Sequence, residues 1–193
     1  MSMPLENRSY KYKDYLSWAE GERVELIHGH VYAMTPAPSR IHQEVLGALY
    51  VPFYQYLHGK SCSVYLAPFD VRLPKGNERD EDIDTIVQPD LSVICDPGKL
   101  DDRGCKGAPD LVIEIISPGS LKLDITIKKN LYDQTGVKEY WVVYPLEKIV
   151  MVYKRSDPKN KFDDGETYHK DASVPVGIFP DFAIELDQVF LAR

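Results

Sequence analysis

An α/β fold is predicted, and three observations predict it. The run DLVIEIIS at 110–117 is apolar except for Glu114 and a few polar end residues, as suits a strand covered on both faces. A helical stretch over 121–135 follows, with Leu123, Ile127 and Leu131 recurring every four residues. The stretches EYWVVYP and KIVMVYK then read as a hairpin about Pro145 to Lys148. The 193 residues suit one domain, 1–193, with a real core. A hydrophobic content of 44% with 11% aromatics excludes a disordered chain.

The remaining elements follow in order. Residues 10–20 read as a short amphipathic helix, with Tyr12, Tyr15, Leu16 and Ala19 at helical spacing. RVELIHGHVYAM reads as two short strands about the turn His28-Gly29, an N-terminal hairpin. Ser39 is an N-cap for a helix reaching about Tyr56, with Ile41, Val45, Leu49 and Phe53 on one face. Pro52 is expected to kink it. Val64 to Leu73 alternates as a strand, and IVQPDLSVIC is a second one ahead of DLVIEIIS. The tail carries Pro175 and Pro180 and ends in FAIELDQVF, a last strand and turn. No internal repeat, low-complexity tract or linker divides the chain.

Composition narrows the function. No apolar run approaches twenty residues, and the N-terminus lacks a charged-then-apolar pattern. A cytoplasmic protein without a membrane partner is expected. Cys62, Cys95 and Cys105 form no CxxC pair, so reduced thiols are expected rather than zinc or a disulfide. A net charge of -7 argues against coating nucleic acid regardless of sequence, although it leaves room for a local basic groove. The acidic cluster Glu78, Asp80, Glu81, Asp82 and Asp84 lacks the glycine and spacing of an EF-hand and reads as a solvated loop. His28 and His30 have no third ligand, so they read as turn residues.

Glu114 carries the chemistry. A carboxylate inside an apolar strand costs free energy unless it is paired or binds a cation. Asp110, Val112, Glu114 and Ile116 share one face of that strand, and Leu111, Ile113 and Ile115 share the other. Asp110 lies roughly 13 Å from Glu114 along the strand, too far to share one ion. Asp90, on the preceding strand, is within about 4.8 Å of strand spacing, so Asp90 with Glu114 is the possible pair. Two carboxylates, a backbone carbonyl and waters suit Mg²⁺ or Mn²⁺. Such an ion polarises a phosphoryl oxygen, and a nearby ammonium stabilises the developing charge. Lys128 is the candidate: the Leu123, Ile127 and Leu131 stripe is expected to face the core, which leaves Asp124, Lys128 and Tyr132 on the neighbouring stripe at the core's edge. The plain alternative is an i,i+4 Asp124–Lys128 pair worth a few tenths of a kcal/mol. On either reading Asp124 orients Lys128. Tyr132 either donates a hydrogen bond to the site or simply packs.

The series QPDLSVI, GAPDLVIEIISPGS, D-x3-K-x3-Y and GVKEYWVVYP resembles the Uma2 family, also called DUF820, within the PD-(D/E)XK nuclease superfamily. VELIHGHVYAMTPAPSRIH and APFDVRL are similar to its N-terminal motifs, and the resemblance runs from about Val24 to Pro145. It implies a restriction-endonuclease-like mixed β-sheet flanked by helices, with the N-terminal β-hairpin added. It implies Asp90 and Glu114 as metal ligands, Glu25 as a further acidic site residue and Lys128 as the site lysine. His42 matches the family's helix histidine, a substrate contact or a hydrogen-bonded helix residue. Ile116 stands where the superfamily's E-x-K has its lysine, which implies that the lysine has migrated to the helix.

The function implied is Mg²⁺-dependent endonucleolytic hydrolysis of DNA. The alternative is a catalytically inactive nuclease-fold module that binds or regulates; hydrolysis of a smaller phosphoester would use the same residues. A homodimer is expected, built on the aromatic strands 138–153 and the tyrosines of the first helix.

Overall fold

The computed structural model describes residues 8–18, 23–34, 37–117, 119–157 and 160–191. The predicted first helix shortens to a single turn, α1 (Tyr12–Tyr15), and residues 16–18 form a turn and a bend instead; Ala19, the last expected helical position, lies outside the described residues. β1 (Val24–Ile27) and β2 (His30–Ala33) form the expected hairpin. Its turn has positive φ at both His28 (52°) and Gly29 (79°), the combination a right-twisted two-residue turn requires. In α2 (Arg40–Leu57) Ser39 Oγ accepts the His42 N–H at 3.3 Å, and the helix runs on through Pro52.

Both strands read next from the sequence are divided. Val64–Leu73 becomes β3 (Ser63–Leu66) and β4 (Val71–Arg72), and the following one becomes β5 (Ile86–Val87) and β6 (Leu91–Ile94). Each break falls at a proline, Pro68 or Pro89, which offers no N–H to a ladder. The chain changes sheet at both. One sheet has the order β2-β1-β5-β4-β8-β7, with β7 (Leu100–Asp101) and β8 (Gly104–Lys106). The other has the order β12-β11-β10-β9-β6-β3, with β9 (Leu111–Ile115), β10 (Glu139–Tyr144), β11 (Ile149–Lys154) and β12 (Glu166–His169). β9 and β10 are parallel, whereas β9 and β6 are antiparallel. A small pair, β13 (Ser173–Pro175) and β14 (Ala183–Glu185), precedes the terminal turn α4 (Leu186–Val189).

The predicted alternation along β9 holds. Leu111, Ile113 and Ile115 pack with α2, α4 and the small pair, while Val112 packs on the opposite side with Leu131, Tyr132 and Tyr140. Tyr140 and Trp141 are fully buried within the sheet, and Tyr12 is buried as well. These side chains belong to the interior, while Tyr15 and Tyr144 of the same elements are half-buried. Among the described residues, no helix is long and apolar enough to cross a membrane.

Two readings are corrected. Cys62 and Cys95 form a disulfide, because β3 and β6 are paired and bring their flanking residues opposite each other; Cys105 is a buried free thiol, pushed up to about 11 by burial. The bridge spans a separation of 33 residues, for which loop-closure entropy gives about 3–4 kcal/mol. Cys62→Ser should lower unfolding free energy by about that amount in non-reducing denaturant titrations and by far less under reductant. Equal losses in both conditions would contradict this.

The acidic segment is not a solvated loop either. Arg72, fully buried, pairs with Asp80 and with Asp101 at 2.6 Å, while Lys106 reaches Asp80 at 2.7 Å and Lys11 reaches Asp82 at 3.0 Å. Within the segment Asp80 thus matches a buried guanidinium, which is costly without partners, while Asp82 pairs with Lys11 and Arg79 and Asp84 with Lys75.

Candidate active site

The sequence from Leu123 to Thr135 forms two kinds of helix. Leu123–Lys128 is a π-helical turn and α3 (Lys129–Thr135) continues it. The wider π turn changes which side chains face inward. Asp124, Lys128 and Tyr132 are buried, at 2%, 4% and 0% exposure, and Leu123 and Ile127 are only partly covered. The polar stripe expected at the edge of the core is thus its inward face. Tyr140 Oη donates to the Asp124 carbonyl at 3.1 Å, satisfying backbone in the distorted turn. Inserted turns of this kind are frequent at functional sites.

Lys128 is the centre of the cluster. Its Nζ lies 2.9 Å from Glu25 Oε1, 3.0 Å from Glu114 Oε1 and 3.5 Å from Asp124 Oδ1. Glu25 comes from β1 and Glu114 from β9, so one ammonium joins the two sheets. Tyr132 Oη donates to Glu114 Oε1 at 2.8 Å, and the Gln88 backbone N–H donates to Glu25 Oε1 at 2.8 Å. The Gln88 side chain is in turn held by Asp70 at 2.8 Å and the Tyr15 hydroxyl at 3.0 Å.

Asp90 lies where expected. β6 and β9 pair Leu91 with Ile113, and continuing that register sets Asp90 opposite Glu114. Its Oδ2 accepts the Ile115 N–H at 2.8 Å and contacts His42 Nε2 at 3.2 Å. Asp110, set aside on distance, is a structural residue: it accepts the Cys95 N–H at 2.7 Å and pairs with Lys138 at 2.7 Å. Asp90, Glu114, Glu25, Lys128, Asp124 and His42 all line one cavity of about 510 Å³.

The electrostatics follow from three carboxylates around one ammonium, with Asp90 a fourth carboxylate beside them. Burial first, and then Asp124, Asp90 and Glu25, hold the Glu114 carboxyl well above its ordinary value against the pull of Lys128. Asp124 is raised chiefly by burial. Burial opposes the charge on Lys128, but Glu114, Glu25 and Asp124 outweigh it and keep the amine protonated beyond its usual range. Asp124 Oδ1 accepts no hydrogen bond among the described residues. This oxygen-only, charge-rich donor set fits a small hard cation. Among the described residues, no three His, Cys, Asp or Glu side chains are grouped as a metal cage. A cation here would rest on two carboxylates and keep several waters, as Mg²⁺ does.

The shifts also set a pH dependence without metal. Unfolded, Glu114 and Asp124 titrate near their ordinary values of 4.5 and 3.8, and folded they titrate higher. The folded chain therefore binds more protons above those values, so their contribution is complete below them and is lost as pH rises through the raised ones. In chelator, the thermal midpoint should fall as pH is raised from the weakly acid range. Glu114→Gln combined with Asp124→Asn should flatten that slope. An unchanged slope in the double variant would contradict the assignment.

A family model described as "Putative restriction endonuclease", Uma2, matches residues 12–187. The chain belongs to the Uma2 family. It is 27% identical over 148 residues, 75% of this chain and 74% of the other, to "Uncharacterized protein slr1290" of Synechocystis sp.. Its fold is similar to the crystal structure of a "putative nuclease belonging to DUF820" from Anabaena variabilis. The TM-score is 0.72 at 20% identity, covering 93% of this chain and 97% of that one. This Uma2 protein shares the mixed α/β fold of that structure, two sheets flanked by helices, as a restriction-endonuclease-like fold has. Sequence reasoning missed Gln88, although it directly precedes Pro89-Asp90, and it also missed Arg23, Ser117 and Ser120 on the cavity wall.

Proposed function

We propose that this Uma2 protein is a divalent-metal-dependent endonuclease that hydrolyses phosphodiester bonds of DNA. The observation that carries the reading is Asp90 set opposite Glu114 within one cavity, with the Lys128 ammonium 3.0 Å from Glu114. Asp90 and Glu114 would hold Mg²⁺ or Mn²⁺. Bound there, the ion supplies Lewis-acid polarisation of a phosphoryl oxygen and a water of lowered pKa. Lys128 contributes fixed positive charge beside the reacting phosphate, already desolvated and so already oriented. Glu25, Asp124 and Tyr132 hold that charge in place: the first two contact its ammonium and Tyr132 fixes Glu114. His42 steadies the Asp90 carboxylate and lines the same cavity, where it can meet the substrate.

Supercoiled plasmid and single-stranded circular DNA, each incubated with Mg²⁺ or Mn²⁺, test the reading. Nicks or breaks that require the metal and stop with chelator are expected. Intact DNA of both forms with both metals would overturn it.

A further inference from the structure

We infer that the cavity over Glu114 takes one unpaired nucleotide, so that the substrate is single-stranded or locally unpaired DNA; this rests on the phosphodiesterase reading of the same site. Three features converge on it. The first is depth. Glu25 and Glu114 are 1% and 4% exposed, at the floor of a cavity of about 510 Å³. That volume falls in the range of small-molecule sites, roughly 300–1,000 Å³. Space of that size admits one nucleotide unit of a strand but not the width of a duplex, whose minor groove alone is about 6 Å and major groove about 12 Å across.

The second is the wall. Met34, Ile41, Ile116, Leu123, Pro145 and Leu146 give the cavity an apolar lining. Apolar side chains accept the face of a base once it has left its neighbours, but gain nothing from a duplex backbone. Polar groups for the base edge and sugar are few and placed among them: Ser117 and Ser120, with His42 Nδ1 buried and without a hydrogen-bond partner among the described residues.

The third is charge. Duplex binding draws its affinity from several phosphate contacts by Lys and Arg. Among the described residues lining the cavity, the basic side chains are Arg23 and Lys128, and Lys128 is ringed by Glu25, Glu114 and Asp124. The net charge of -7 supplies no broad field to replace them. A single phosphate steered by Arg23, with its base held by apolar contact, matches this distribution.

The test is binding, measured on the full chain with Ca²⁺ in place of Mg²⁺ so that no cleavage is needed. The probe is a DNA oligonucleotide carrying 2-aminopurine, presented single-stranded and as the matched duplex. The single strand should bind about tenfold tighter or more, with a change in 2-aminopurine emission as the base enters the cavity. Leu146→Glu, at a rim position 70% exposed and so compatible with folding, should weaken single-strand binding about tenfold. Duplex bound as tightly as single strand, unchanged emission, or a Leu146→Glu variant of full affinity would each overturn the inference. Cavity-dependent single-strand binding without cleavage under Mg²⁺ or Mn²⁺ would support it and sink the nuclease reading instead.

Discussion

Asp90→Asn and Glu114→Gln should each reduce metal-stimulated DNA cleavage by about 10³-fold, corresponding to roughly 4 kcal/mol of lost transition-state stabilisation. Both changes keep the shape of the side chain. An asparagine oxygen at position 90 can still accept the Ile115 N–H, and a glutamine oxygen at 114 can still accept from Tyr132 and Lys128. Each removes one negative charge from the pair opposite each other across β6 and β9. The loss should therefore appear in the rate and in Mn²⁺ affinity by calorimetry, with circular dichroism unaltered. Two variants that cleave at the full rate would exclude these carboxylates from the reaction.

Lys128→Met should destabilise the protein by about 3–5 kcal/mol at neutral pH, the cost of stranding buried charges without their partner. Methionine fills similar space, so the effect is electrostatic rather than a cavity. Glu25, Glu114 and Asp124 lose the ammonium they share, and the raised carboxyls are pushed higher still. A group raised in the folded state gives its stability below its unfolded value and loses it as pH rises. The deficit should therefore be largest at neutral and alkaline pH and shrink towards pH 4.5. Urea titrations at several pH values would measure it. A loss below about 1 kcal/mol, equal at every pH, would mean that the lysine is not the counter-ion of the cluster.

The β-strand half of the site was legible because period-two alternation and strand spacing are rigid rules. Leu111, Ile113 and Ile115 lie on one side of β9 as their parity requires, and the β6–β9 register, continued by one residue, sets Asp90 opposite Glu114. The helix was less legible. An α-helical period puts the Leu123 stripe inward; through the π turn Asp124 and Lys128 are buried while Leu123 and Ile127 are only partly covered, and by Leu131 and Tyr132 both stripes are buried. No composition signal marks that turn. The disulfide and the role of the acidic segment were hidden for another reason, since both depend on partners distant in sequence. Cys62 meets Cys95 only through the β3–β6 pairing, and Asp82 meets Lys11 across 71 residues.

The ammonium that joins the sheets also sets when the site comes into being. Glu114, Lys128 and Tyr132 lie close in sequence and can meet once β9 and the helix after it have formed. Glu25 arrives only when β1 closes on β5, a contact far apart along the chain. Contacts of high sequence separation form late, because loop closure must precede them. A chain still folding, or one whose first sheet has come loose, carries the carboxylates without their full frame. The complete Glu25–Lys128–Glu114 cluster would then be the last part of the molecule to assemble and the first to come apart.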